Sequence, residues 1–515
     1  MYICLQDFNL KTYNQTFMTK KIKDLTVFFL LLGASQYSWG QAAGTPYIIP
    51  TQDIPFSFLA GGTEREMTLN MATTADGGYI TLSAANSSVT GDVTDANHGT
   101  TTTPDAWVVK YDKYGKIEWQ RMYGGSLFET GAVATAAIKQ TSEGGYIFTI
   151  ASTSSASGDV TGTGKGAGDI WVVKITATGA ITWQRLYGGS GGDNSGGIIQ
   201  TADGGYLVGG FTRSSANGDV TSTRNSLNDF DFWAIKITAT GAITWQQTYT
   251  NPGPANSTND MSDYMNNLEA AIDGSGYIMA GRSNSNYRNT SSSYDYFIMK
   301  INLTGATQWR RLYGSSGQDD LRSMYLTSDG GYILVGNTDS STSGDLIGTN
   351  HGGDDIWVIK ANAAGTIEWQ RLLGGTGIDD GQSVIQTSDG GYMIAGISTS
   401  SANGDITDTN KGSYDITVFK LSSTGATQWM KLYGGSSVDG DNRNSLSNGG
   451  SLLPTRIRET DDGNYIVFGS SGSSDNGDVT DTNNGVGGTT NYDQWLFKID
   501  QSGNIVWVPD VGQKN

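Results

Sequence analysis

The stretch Gln386-Thr-Ser-Asp-Gly-Gly-Tyr-Met-Ile-Ala-Gly396, followed by Asp415-Ile-Thr-Val-Phe-Lys420 and Gly425-Ala-Thr-Gln-Trp429, decides the fold because the chain repeats it. Asp-Gly-Gly-Tyr or a close variant ends at Tyr79, Tyr146, Tyr206, Tyr277, Tyr332, Tyr392 and Tyr465. Gly-x-x-x-Trp ends at Trp119, Trp183, Trp245, Trp309, Trp369, Trp429 and Trp507. Two seven-member series in step mark a repeat architecture. In the quoted unit four short runs, Ser383–Gln386, Tyr392–Gly396, Asp415–Lys420 and Ala426–Tyr433, read as strands. They are rich in Val, Ile, Tyr and Trp and are bounded by Gly and Asp. No later stretch sustains a 3.6-residue period. The pattern predicts an all-β fold over 55–512: a seven-bladed β-propeller of four-stranded antiparallel blades. A solenoid coil is usually shorter than these units, and a string of sandwiches needs linkers that the chain lacks. Pro55–Gly62 matches the tail of a fourth strand such as Trp183–Gly189, and Asn504–Val508 is another. The N- and C-terminal pieces are therefore expected to share one blade and close the ring.

Composition narrows the chemistry. Of 515 residues 72 are Gly, about twice the ~7% of average usage. Lys and Arg number 32 against 50 Asp and Glu, a formal charge of −18. Such a chain is a poor partner for nucleic acid or anionic lipid, because each phosphate contact needs a cation. The single cysteine, Cys4, lies upstream of the expected mature start, which excludes disulfides, zinc–thiolate sites and a cysteine nucleophile. His98 and His351 leave little room for a histidine-built metal site. From Met18, the better start, the chain reads Thr19-Lys20-Lys21-Ile22-Lys23, an apolar run from Leu25 to Ala34, and Ser38-Trp39-Gly40 before Gln41. A charged segment, a short apolar segment and a small-residue cleavage site make residues 1–40 an export signal. The run is too short for a permanent span, and no cysteine follows it for acylation. Residues 41–54 read as a linker and 513–515 as a tail. The expected location is periplasmic, outer-membrane-associated or extracellular.

All 12 tryptophans after residue 40 fall on two repeat positions. Seven close the Gly-x-x-x-Trp strand, and Trp107, Trp171, Trp233, Trp357 and Trp495 lie on the third strand, where Phe297 and Thr417 stand in two units. Recurrence predicts packing between adjacent sheets rather than sugar stacking. Strand alternation places the Asp-Gly-Gly turns and the turns before the Trp strand on one face. The inter-blade loops and the long loops between second and third strands share the other, which carries the length variation and many acids. In three units the long loop reads Asp-x-x-Asp-x-Asn: Asp92/Asp95, Asp405/Asp408 and Asp478/Asp481. These oxygens are candidate Ca²⁺ ligands, although the EF-hand spacing and its distal Glu are absent. The competing role, turn closing on local backbone amides, is favoured by repetition. Two irregular inserts, Asn251–Asn267 and Ser436–Arg456, are the best pointers to a binding site. Their candidate partner-contacting residues are Asn259, Asp260, Asp263, Tyr264, Asp439, Asp441 and Arg443, with Arg456 and Arg458 at the end of the second insert.

No Ser–His–Asp grouping, phosphate loop or metal-binding His pair stands out, so no catalytic residue is assigned. Arg121, Arg185, Arg311 and Arg371 follow the Trp and are expected to pair with neighbouring carboxylates. The repeat, as in Gln386–Gly396 with Asp415–Lys420, resembles a family of exported kelch-like repeat propellers of Bacteroidetes. That resemblance, over ~55–512 by internal alignment, implies a propeller, mostly without assigned activity, associated with the type IX secretion route and the cell surface. The family's cargo usually ends in a separate sorting domain, which is not expected here because the chain stops at Asn515. Some members are labelled bulb-type-lectin-like. Asp500–Trp507 echoes part of that mannose-binding pattern but lacks the full set, so no sugar-binding residues are carried across. The expectation is a non-enzymatic binding or scaffold protein of the cell envelope, without a cofactor unless Ca²⁺. Its acidic long-loop face would meet a protein of the outer membrane or secretion machinery. The alternative is a lectin-like module for a surface glycan, and less so a glycosidase.

Overall fold

A computed structural model describes residues 53–130, 135–223, 229–250, 262–284, 293–440, 454–485 and 491–509, all within the compact unit Thr51–Asn515. Residues 1–40, read as an export signal, most of the expected linker and the tail lie outside the described residues. Each Asp-Gly-Gly or equivalent turn folds a first strand onto a second. In the sixth blade the four strands are Asp379–Gln386, Tyr392–Ser398, Asp415–Leu421 and Thr427–Tyr433, paired antiparallel in that order. Seven four-stranded sheets of this kind form a seven-bladed β-propeller, with no helix among the described residues. The first strand of every blade neighbours the first strands of the blades on either side, so seven inner strands close around a central channel. First strands begin earlier than the apolar signal suggested. Asp379-Asp380-Gly-Gln reads as polar loop, yet it pairs in register across a bulge between Gly381 and Ser383.

The ring closes by a splice. Ser57–Ala60 is the outermost strand of the seventh blade, paired to Asp493–Ile499, with Tyr465–Ser471 and Arg456–Glu459 inside it. Val506 begins that outer edge, donating its N–H to Lys498 O, and Phe56 then takes over, accepting the N–H of Lys498. Trp507 is thereby displaced to a small sheet, Trp507–Pro509 with Asp53–Pro55. Residues assigned to the linker thus begin the closure.

The two tryptophan positions have different environments. The third-strand indoles are fully buried, each removing about 150–250 Å² from water. Trp233 Nε1 donates to Gln246 Oε1 at 2.7 Å, and Trp107, Trp171 and Trp357 repeat the bond on Gln120, Gln184 and Gln370. The fourth-strand tryptophans other than Trp507 are half-buried rather than fully enclosed, and several pack between adjacent sheets as recurrence predicts. They sit on the outer strand and lean on the next blade: Trp369 is 5.6 Å from the Tyr392 ring and covers the turn at Gly425. Gly425 has φ +79°, and a Cβ there would stand 2.8 Å from the Trp369 ring. Trp507 is 62% exposed because Phe56 holds its place against the Tyr79 ring. The fourth-strand tyrosines add a bond between blades, as in Tyr187 Oη to Gly241 O at 2.6 Å and Tyr313 Oη to Gly365 O at 2.6 Å. The fifth blade has Leu373 at that place, and Arg371 Nε reaches Gly425 O instead, at 2.9 Å. Arg371 and Arg311 donate to backbone carbonyls rather than to the carboxylates expected from sequence. In all seven blades the acid of the first turn pairs with a third-strand lysine, for example Asp203 with Lys236 at 2.8 Å and Asp462 with Lys498 at 2.7 Å.

Candidate functional site

Where a first strand starts and a second strand ends, the blade meets the long-loop face. A buried acid opens five of the first strands, Glu66, Asp193, Asp263, Asp319 and Asp379, and Glu129 and Asp439 are buried in the inter-blade segments ahead of the other two. Asp193 accepts from Gly189 N at 2.7 Å and from Ser214 Oγ at 2.9 Å, and Thr212 Oγ1 also donates to it. Asp439 repeats the arrangement with Gly435 N, Ser473 Oγ and Ser471 Oγ. Burial pushes these carboxyls up: Glu66 to about 8, Glu129 and Asp319 to about 7, Asp193 to about 6. Asp263 and Asp439, read from sequence as contact residues, are both fully buried, Asp263 at the start of a first strand and Asp439 against Gly435, Ser471 and Ser473. Asn259, Asp260, Asp441 and Arg443 lie outside the described residues.

The six loop carboxylates tie the framework together. Asp92, Asp405 and Asp478 accept from Gly61, Gly374 and Gly434 at the end of the preceding blade, at 3.3, 3.3 and 3.1 Å. Asp95, Asp408 and Asp481 accept from Met122, Leu432 and Leu59 on the fourth strand of their own blade, at 3.1, 3.0 and 3.2 Å. These contacts run across strands, and Asp95 and Asp481 in addition accept locally from the amides of Ala96 and Thr482, at 3.1 and 2.8 Å. Among the described residues no group of three or more metal-ligating side chains stands together.

Of the sequence candidates, Tyr264 reaches the channel. It lines a cavity of about 50 Å³ with Met265, Arg282, Arg322, Gln382 and Arg456. This mouth opens on the long-loop face, since Tyr264 begins a first strand and Arg282 ends a second. A further cavity of about 110 Å³ shares Asn266, Arg322 and Arg456 with it and is lined also by Arg458, Lys139 and Glu269. The Arg282 guanidinium lies over the rings of Tyr264 and Tyr294 at 4.9 and 4.7 Å, a cation–π arrangement. Phe211 and Phe230 back Tyr264 at 5.3 and 5.2 Å. Arg282 Nη1 donates to both oxygens of Asp320, at 2.6 and 2.7 Å. Arg322 stands 3.2 Å from Asp320 and 3.6 Å from buried Asp380. Arg456 Nη1 donates to Gln382 O at 3.0 Å and to Thr455 O at 3.3 Å. Burial, with Arg458 beside it, pulls the Arg456 guanidinium down to about 9, still charged at neutral pH. Sequence reading noted Arg456 and Arg458 but missed Arg282 and Arg322. The available signal was a charged residue inside a strand at a place where the other units carry none.

No family model and no curated protein matches the chain. Similar solved structures include the polysaccharide lyase Uly1, 10% identical over 91% of this chain and 93% of that one, TM-score 0.45. Puromycin hydrolase is 9% identical over 88% and 58%, TM-score 0.42. The β-propeller domain of Cps50 (Swd1) from Myceliophteria thermophila is 8% identical over 81% and 95%, TM-score 0.39. Enzymes stand among these neighbours, and likeness at this level carries no argument about chemistry.

Proposed function

We propose that this propeller is an exported, non-enzymatic binding protein of the cell envelope that engages a partner through its long-loop face, centred on the channel mouth. One observation carries the reading: in a chain of charge −18, Arg282, Arg322 and Arg456 converge on one mouth beside Tyr264. Arginine and tyrosine are the side chains that most often dominate recognition energy. Here they stand on strands rather than loops, so the site is preorganised by the ring. The partner is an envelope component, protein or surface glycan.

The test is retention of envelope material on the immobilised protein. The wild type and an Ile272→Asp control on the opposite, short-turn face are expected to retain the same component in stoichiometric amount, and Tyr264→Ala to lose it. Ile272 is 59% exposed in a first turn, so its substitution leaves the mouth untouched. Recovery of the propeller alone, or equal retention by Tyr264→Ala, sinks the reading.

A further inference from the structure

Among the described residues, the channel mouth holds a cation that no carboxylate neutralises. Arg282 and Arg322 share Asp320, and Arg322 also faces Asp380. Arg456 differs: its contacts are the carbonyl oxygens of Gln382 and Thr455, both made through Nη1, with no carboxylate among the described residues. A guanidinium carries five N–H donors in a planar fork, so most of that fork is left for the cavity. The cation nearest along its strand is Arg458, whose Nη1 donates to Ile457 O. Arg456 is half-buried, and a charge drawn partly out of water is unfavourable unless a counter-charge completes it. An anion entering from the mouth would supply that counter-charge.

The surroundings select among anions. A carboxylate matches the guanidinium fork with two parallel bonds. A more highly charged phosphate meets Asp320 and Asp380 at the same rim, and the field of an acidic chain opposes it further. A cavity of about 50 Å³ admits a small head group and leaves the body of the ligand outside. Around the head group stand the polar side chains of Thr135, Asn266 and Gln382, with Tyr264 and Met265 as apolar surface. Hydroxyls and amides alternating with apolar surface suit a hydroxylated ring whose edges are polar and whose faces are C–H. We infer that the mouth binds an acidic sugar of the uronate class, its carboxylate on Arg456 and its ring at the Tyr264 rim. The inference rests on the binding reading above and supplies the ligand chemistry for it.

The experiment is calorimetric titration of the purified protein with glucuronate, a glucuronate trisaccharide, glucose, inorganic phosphate and a C-terminal tripeptide acid. Glucuronate is expected to bind at least tenfold more tightly than glucose, phosphate or the tripeptide. The trisaccharide arm separates a free acid from a chain end: tighter binding than the monomer assigns a polysaccharide, equal binding a free sugar acid, and either supports the inference. Arg456→Gln is expected to lose at least tenfold in glucuronate affinity, with Arg456→Lys intermediate because charge survives but the fork does not. Should these variants fail to fold, the ligand comparison on the wild type still decides. Glucose or phosphate binding as well as glucuronate overturns the inference, as does a tripeptide that binds equally. Undiminished glucuronate binding by folded Arg456→Gln overturns it too. If no sugar binds while envelope capture still depends on Tyr264, this inference falls and the binding reading stands. Loss of both removes the two together.

Discussion

At the scale of single residues, the ring is held by bonds that recur once per blade. Tyr187 Oη donates to Gly241 O across a blade junction at 2.6 Å. Removing the hydroxyl leaves a carbonyl in a covered place without its donor, so Tyr187→Phe is expected to cost about 1–2 kcal/mol, read as a lower denaturation midpoint at unchanged m-value. Lys236 lies along the sheet with its stem buried and its ammonium on Asp203. Because Asp203 is mostly exposed, the ion pair contributes little, and loss of the packed stem carries the effect. Lys236→Ala is expected to cost about 1 kcal/mol, and Asp203→Asn less, in the same unfolding assay. Sequence reading found the turn acid as a repeat position but did not single out the third-strand lysine. Their pairing was out of its reach, because it depends on the register of second strand on third.

Strands and their starts set the pH response. The buried acids at or ahead of the first-strand starts have folded pKa values raised by desolvation, about 8 for Glu66, about 7 for Glu129 and Asp319, and about 6 for Asp193. Between roughly pH 4, where the unfolded carboxyls titrate, and these values the folded chain binds more protons than the unfolded one. Their contribution is therefore complete below about pH 4 and is lost as pH rises through 6 to 8. The first-turn acids act in the opposite sense: hydrogen bonding from Lys236 holds Asp203 down at about 2, and Lys174 does the same for Glu143. That part is lost as pH falls from about 4 towards 2. Melting temperature measured from pH 2.5 to 9 is expected to peak on the acidic side, between about pH 4 and 5.5. A melting temperature that climbs steadily to pH 8 contradicts it. None of this ring was visible in composition, where Asp193 and Asp379 sit in polar runs that look like loop. Strand existence was legible from the second strand onward, since Tyr392–Ser398 and its counterparts are nearly all apolar; the first strands were shortened by their polar, bulged starts. The channel mouth was half legible: Tyr264 and Arg456 fell within irregular inserts, whereas Arg282 and Arg322 acquire meaning only when blades four and five bring them around one axis with Arg456 of blade seven.

For the whole molecule, closure is the distinguishing feature. The count of blades and the sharing of one blade were readable from sequence, because Pro55–Gly62 matches a fourth-strand tail. The splice itself was not, since nothing local shows that Phe56 displaces Trp507. Removing residues 53–60 takes away the outer strand of the seventh blade and uncovers Trp495, whose Nε1 donates to Ser57 Oγ at 3.0 Å. Such a truncation is expected to broaden the calorimetric transition and lower its midpoint by more than any single substitution above. A synthetic peptide spanning 53–62, added in excess, is expected to restore part of the loss by mass action.

The same closure has a meaning in time. Ser57 and Trp495 meet although 438 positions separate them in the chain. As a chain is made from its first residue onward, Phe56–Ala60 emerges early and has to wait, unpaired, until the third strand of the last blade appears. Six blades can assemble from neighbours in sequence, but the seventh is completed only by a strand held in reserve. The ring is thus an open arc for nearly the whole of its synthesis, with its apolar outer strand accessible to whatever binds extended chains. Its final fastening is one late event whose rate depends on how long that first strand stays free.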